Sequence, residues 1–140
     1  MIHNSGIELR TRGNADMHDL TDQVRNVLRD LEIQNGLVTL FSPSATSAIT
    51  TIEFESGALA DLSRALDQIA PPDADYQHNL RWSDGNGHSH LRAALLKPSL
   101  SIPVVEGQLT LGTWQQIIFI DFDVRPRSRR IILQVITDEV

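Results

Sequence analysis

Two short stretches late in the chain are apolar at every position. They read Ile117-Ile118-Phe119-Ile120 and Ile131-Ile132-Leu133. Because successive side chains of a strand point to opposite faces, strands with this pattern must bury both faces. A second layer of sheet or helix, or a neighbouring subunit, is needed to cover them. The pattern predicts a sheet sandwich or an oligomer.

Two amphipathic helices and several further strands are predicted around these runs. The first helix precedes Asn35-Gly36 and has apolar residues at helical spacing: Leu20, Val24, Val27, Leu28 and Leu31. The second precedes Pro71-Pro72 and has the same spacing: Leu59, Leu62, Leu66 and Ile69. Apolar runs predict strands at 7–11, 37–41, 49–54, 99–105, 109–113, 116–122 and 131–137. This order predicts an α+β fold with a mostly antiparallel or mixed sheet and two to three helices.

Two connections between these elements are unusual. Residues 71–86 are polar apart from Tyr76 and Trp82, and this length predicts a connection that is either disordered or functional. The other connection follows Asp121-Phe122-Asp123 and is rich in arginine: Arg125, Arg127, Arg129 and Arg130. It is predicted to be a solvated turn with exposed ion pairs.

Composition excludes several classes of protein. The 140 residues predict one domain over 1–140, and the net charge of -6 argues against broad nucleic-acid binding. The chain has no cysteine, so a metal would be held by His, Asp or Glu. Neither a secretory leader nor a long apolar segment is evident, and a cytoplasmic protein without membrane contact is expected.

The segment most suggestive of chemistry is Asp84-Gly85-Asn86-Gly87-His88-Ser89-His90-Leu91-Arg92. It combines an acid, two imidazoles and a guanidinium with two glycines, which favour a tight loop. The apolar residues that follow predict that this loop opens a short helix, whose first N–H groups can hold phosphate. The alternative is a surface turn whose polar residues only cap that helix.

Histidine spacing leaves the geometry of a metal site open. His88 and His90 share a face on a strand or converge in an extended loop, whereas on a helix they diverge by about 200°. With His78 and a carboxylate from Glu53 or Asp84, they form a reasonable site for zinc, nickel or magnesium. The alternative is that the histidines hydrogen-bond to the backbone.

Four other side chains have both a structural and a functional interpretation. Glu53 is either a solvated residue at a sheet edge or, if buried, a ligand or general base. Trp114 either fills a core or interface or stacks on a heterocycle. Arg92 and Lys97 either bind phosphate or lie on a helix surface.

Three segments resemble the YjbQ-like family, usually described as secondary thiamine-phosphate synthases. They are Thr46–Glu55, Asp84–Arg92 and Leu111–Gln116, and the similarity extends through Pro98-Ser99-Leu100 to Gln134-Val135-Ile136. The resemblance implies an α+β fold with a β-sandwich-like core, a homotrimer, and a polar site near subunit boundaries. It also implies a weak activity that joins a pyrimidine diphosphate to a thiazole phosphate and releases pyrophosphate.

The resemblance also implies roles for individual residues. The catalytic candidates are Glu53 and Arg92, and the metal candidates are His78, His88 and His90. The substrate-binding candidates are Thr46, Asp84, Asn86, Gly87, Trp114 and Gln115. Ser44 stands where one branch of the family has histidine.

Three classes of function therefore remain open. The first is an enzyme in which the loop and Arg92 hold the diphosphate of a phosphorylated heterocycle. The second is a non-catalytic trimer that binds a metal or small ligand. The third is a structural or interaction protein, in which oligomer packing alone accounts for the apolar strands.

Overall fold

The computed structural model describes residues 1–138 of the chain. Its strands are β1 (Ile2–Thr11), β2 (Asp16–Asp19), β3 (Gly36–Phe41), β4 (Ser47–Ile52), β5 (Ser99–Val105), β6 (Gln108–Leu109), β7 (Gln116–Asp121) and β8 (Arg127–Ile136). Its helices are α1 (Thr21–Asp30), α2 (Ser56–Ile69), α3 (Gln77–Trp82) and α4 (Gly87–Leu96). None of these helices is long and apolar enough to cross a membrane.

The strands form two antiparallel sheets. One has five strands in the order β1-β8-β3-β5-β6, and the other has three in the order β2-β7-β4. The predicted α+β class with antiparallel pairing is therefore confirmed. The prediction missed β2, because the sequence of this short strand is polar and lacks the alternation of a half-buried strand.

Both faces of β7 are covered within the chain. Ile117 and Phe119 point into the core between the two sheets, where α1 also packs. Ile118 and Ile120 point the other way and pack in a second cluster with residues of α2 and α4. A sheet on one side and helices on the other thus satisfy the requirement that the sequence of β7 imposes.

Only one face of β8 is covered in this way. Ile131 and Leu133 are fully buried, but Ile132 is 40% exposed and Ile136 is 51% exposed. Ile132 lies in register with Phe41 of β3, which is 41% exposed. The described residues leave this face of the larger sheet partly open, and its cover by a neighbouring subunit stays a prediction.

The prediction of a solvated, arginine-rich turn is only partly right, because Arg125 and Arg130 are exposed but Arg129 is not. β8 begins at Arg127, so Arg129 is a strand residue, and its side chain is only 15% exposed. It forms an ion pair with Asp121, which is fully buried at the end of β7. Charge density suggested that all four arginines are solvated, but the buried Asp121 at the end of β7 neutralises Arg129 of β8.

Two other predicted segments also differ. The connection over residues 71–86 is not wholly irregular, because it contains the helix α3. The strand predicted at 109–113 is reduced to β6, which ends at Leu109. Beyond β6 the chain turns, since Gly112 accepts a backbone hydrogen bond from Gln115.

Lys97, which follows α4, has a backbone conformation that favours glycine. Its φ is 79° and its ψ is 151°. In this region of backbone conformation, a residue with a Cβ is strained and glycine is not. We expect Lys97→Gly to raise the free energy of unfolding by about 1 kcal/mol, because relief of strain exceeds the entropic cost of glycine. Urea denaturation of Lys97→Gly and Lys97→Ala measures this difference. Equal stability of the two variants would contradict the strain, since alanine retains the Cβ.

Candidate functional site

The loop at 84–86 opens α4, as the sequence predicts. Gly85 has a φ of 71°, and the Asp84 carboxylate accepts a hydrogen bond from the Asn86 backbone N–H at 3.1 Å. Gly87, the first residue of α4, is buried against α3, and a Cβ there would lie 2.4 Å from the Cβ of Tyr76. Glycine at this position lets α3 and α4 approach closely, which places the histidines of the two helices together.

His78 of α3 and His90 of α4 form a pair. Their ring centroids are 4.4 Å apart. His78 Nδ1 lies 3.3 Å from Asp84 Oδ1, within ion-pair distance but not aligned for a hydrogen bond. His90 Nδ1 lies 3.1 Å from the carbonyl oxygen of Ala45. Since a carbonyl only accepts, His90 carries its proton on Nδ1 when neutral, and Nε2 keeps a lone pair for a proton or ligand.

His88 lies apart from this pair. It is 3% exposed, whereas the pair is half-buried. Burial lowers the pKa of His88, and the nearby Arg92 guanidinium lowers it further.

Among residues 1–138, no group of three or more His, Asp or Glu side chains is arranged to hold an ion. The predicted ion at His78, His88 and His90 stays a prediction.

Asn86 is engaged in holding the loop rather than free for a substrate. Its Oδ1 accepts hydrogen bonds from Ser89 Oγ at 2.9 Å and from the Val124 backbone N–H at 3.1 Å. Its Nδ2 donates to Asp123 at 3.5 Å. These bonds tie the start of α4 to the segment after β7, so the position of His90 depends on them.

Thr46 belongs to a buried network that the sequence analysis missed. Its Oγ1 donates to Asp123 at 3.1 Å and accepts from Arg129 Nη2 at 2.9 Å. Burial raises the pKa of Asp123, but hydrogen bonds from the Arg125 backbone, Thr46 and Arg127 outweigh it and hold the pKa below 3.8. The available signal was spacing: Arg127 and Arg129 are two residues apart on one strand and so share a face.

The remaining candidates lie at the other end of β4. Thr46 precedes this strand and Glu53 follows it, which separates them by roughly 20 Å. Trp114 is 71% exposed, and Gln115 donates to Thr51 near the end of β4 at 3.1 Å. One chain therefore forms two polar ends, and it does not bring Glu53 to the histidine pair.

Arg92 is a buried residue that links two helices. It is 4% exposed, and both its Nε and its Nη2 donate to the carbonyl oxygen of Ala70, at 3.0 and 2.9 Å. Nη2 also contacts Asp67 of α2 at 2.9 Å. Arg92 thus connects α4 to the end of α2. It is neither on a helix surface nor beside His90, from which it diverges by about 200° around the helix.

Comparison with known proteins identifies relatives over nearly the whole chain. The family described as UPF0047 protein YjbQ-like matches residues 5–138. A UPF0047 protein of Methanothermobacter thermautotrophicus is 42% identical over 134 residues, which cover 96% of this chain and 92% of that protein.

Solved structures show the same fold. A YbjQ-like protein of unknown function from Sulfolobus solfataricus superposes with a TM-score of 0.91 at 31% identity, covering 96% of each chain. A hypothetical protein from Aeropyrum pernix gives a TM-score of 0.90 at 31% identity, covering 97% of this chain and 99% of that one.

Proposed function

The chain belongs to the YjbQ-like UPF0047 family, and on that basis we propose that it is an oligomeric enzyme acting on phosphorylated heterocycles. The specific reaction is the weak formation of thiamine phosphate from a pyrimidine diphosphate and a thiazole phosphate. The observation that supports it is the pair of imidazoles of His78 and His90, 4.4 Å apart beside the start of α4.

The chemistry requires stabilisation of a leaving group. The thiazole nitrogen forms a bond to the exocyclic carbon of the pyrimidine, and the carbon–oxygen bond to the diphosphate breaks. Negative charge therefore develops on the departing diphosphate. Hydrogen bonds from the imidazoles of His78 and His90 would stabilise this charge, and the positive end of the α4 dipole would add to the attraction. No nucleophile from the protein is needed.

A second subunit would complete this site. Glu53 and Trp114 lie at the opposite end of β4 from the histidine pair. Each chain therefore contains both halves of the proposed site, but the two halves are not in contact. If the site uses both, the Glu53 end of one subunit must meet the histidine end of the next. Such head-to-tail contacts close into a ring when the rotation between neighbouring subunits completes a full turn. This arrangement is consistent with the homotrimer that the family resemblance implies.

We expect light scattering to report three subunits per particle at micromolar concentration. Trp114→Glu is expected to shift the protein towards smaller species, because it places a charge in the proposed contact. Ile69→Glu is the control, since Ile69 is 65% exposed and lies outside both polar ends. A monomeric wild type would contradict the proposal, and so would identical behaviour of the two variants.

The activity itself is tested by incubating the protein with both substrates and measuring thiamine phosphate. Product above the uncatalysed level supports the proposed enzyme activity, and its absence overturns it.

The alternative of a non-catalytic metal-binding trimer is favoured by one observation: the Ala45 carbonyl orients His90 with Nε2 free as a ligand. A bound metal found by elemental analysis of tag-free protein, together with the absence of product, would favour this alternative.

A further inference from the structure

A small cavity lies on the opposite side of α4 from the histidine pair. Its volume is about 150 Å³, and its lining includes His88 and Arg92 of α4, Ser63 and Asp67 of α2, and Phe122. His88 and His90 are two residues apart on a helix and diverge by about 200°. The cavity is therefore separate from the proposed catalytic site.

His88 places an unused hydrogen-bond acceptor at this cavity. The side chain is 3% exposed, and its Nδ1 has no partner among residues 1–138. In the tautomer that carries its proton on Nε2, Nδ1 presents a buried lone pair. Buried polar atoms without a partner are rare unless something binds them.

Arg92 supplies a donor to the same cavity. Its Nε and Nη2 are bonded to Ala70 and Asp67, whereas no contact of Nη1 is found in the described part of the chain. Asp67 balances the charge of the guanidinium at 2.9 Å, so the charges at the cavity cancel. The site thus offers one acceptor and one donor without net charge, which favours a neutral ligand.

Phe122 gives the cavity an apolar wall. The residue is 1% exposed, and the Arg92 guanidinium carbon lies 5.9 Å from the centre of its ring. A planar ligand can pack on this wall while its edge meets the polar groups. The volume matches one ring, because an apolar cavity of about 150 Å³ in another protein accommodates benzene.

We propose that this cavity binds a small neutral ring amide or lactam, with its N–H donating to His88 Nδ1 and its carbonyl accepting from Arg92. Both groups must lie side by side on the ligand, because the two protein groups project from the same helix four residues apart. The site is independent of the proposed activity.

The probe is 2-pyridone, which has an N–H beside a carbonyl on one six-membered ring. Titration into the full-length protein, followed by amide NMR shifts, is expected to give saturable binding with shifts centred on α4 and α2. N-methyl-2-pyridone lacks the donor and is expected to bind about tenfold more weakly, as for the loss of one hydrogen bond. Equal binding of the two compounds would overturn the proposal, as would no saturation at millimolar concentration.

Two variants locate the site. His88→Phe removes the acceptor at similar volume, and Ser63→Leu fills the cavity from α2 without altering His88. Both are expected to abolish saturable binding of 2-pyridone, while His3→Ala, a change on β1, leaves it unchanged. If His88→Phe does not fold, Ser63→Leu still decides. Wild-type affinity in folded Ser63→Leu would show that the probe binds elsewhere and would overturn the proposal.

Discussion

Replacing Asp121 with alanine is expected to lower the free energy of unfolding by about 3–5 kcal/mol. Asp121 is fully buried and accepts hydrogen bonds from Arg129 Nε at 2.8 Å and Nη2 at 3.0 Å. It also accepts one from Thr11 Oγ1 at 2.6 Å. Its removal leaves the largely buried guanidinium of Arg129 without its closest anion, and a buried unpaired charge is costly. Urea denaturation of wild type and variant measures the change.

The matched control is Glu8→Ala. Glu8 pairs with Arg130 across β1 and β8 at 3.1 Å, but the two side chains are 76% and 58% exposed. Because solvent screens this pair, its loss is expected to cost less than about 1 kcal/mol. The ion pairs thus differ mainly in burial. Similar losses in both variants would show that burial of the Asp121–Arg129 pair does not dominate its effect.

Replacing His90 with alanine is expected to reduce kcat/KM for thiamine-phosphate formation by about 100-fold. The expected size is that for removal of one group that stabilises charge or transfers a proton in the transition state. His90 is the preferred member of the pair for this test, because the Ala45 carbonyl orients its ring and leaves Nε2 available. Steady-state kinetics with both substrates varied would measure the effect.

His18→Ala serves as the control for loss of a histidine. His18 is on β2, and its ring bonds to Asp16 at 2.8 Å rather than to the histidine pair. Its replacement is expected to leave kcat/KM within about twofold of wild type, the ordinary result for a side chain that does not contact substrate. Wild-type activity in His90→Ala would contradict the catalytic role. A loss of bound ion with unchanged activity would instead favour metal binding without catalysis.

Local patterns predicted much of the fold. The helical spacing of Leu20 to Leu31 corresponds to α1, and the two-faced run at Ile117–Ile120 required the layers that the sandwich and α4 provide. The glycines of residues 84–87 predicted a loop that opens a helix, and α4 begins at Gly87. These features depend on near neighbours in sequence, whose effects repeat at the period of the element.

The candidate site was less predictable. His78, His88 and His90 are close in sequence, which suggested one metal site, but the helical path of α4 turns His88 away from His90. Arg92 was interpreted as a phosphate ligand, although it bonds to Ala70 at the end of a different helix. A list of polar residues does not show which of them the folded chain uses for its own hydrogen bonds.

The sequence by itself determined the class of the fold, the two-sided burial of β7, the loop before α4 and the membership of the YjbQ-like family. Only the tertiary structure decided that Asp121 pairs with Arg129, that His78 meets His90, and that Glu53 lies at the far end of β4. The reason is physical: periodicity specifies which face of an element is buried, whereas ion pairs and sites depend on how separate elements are packed.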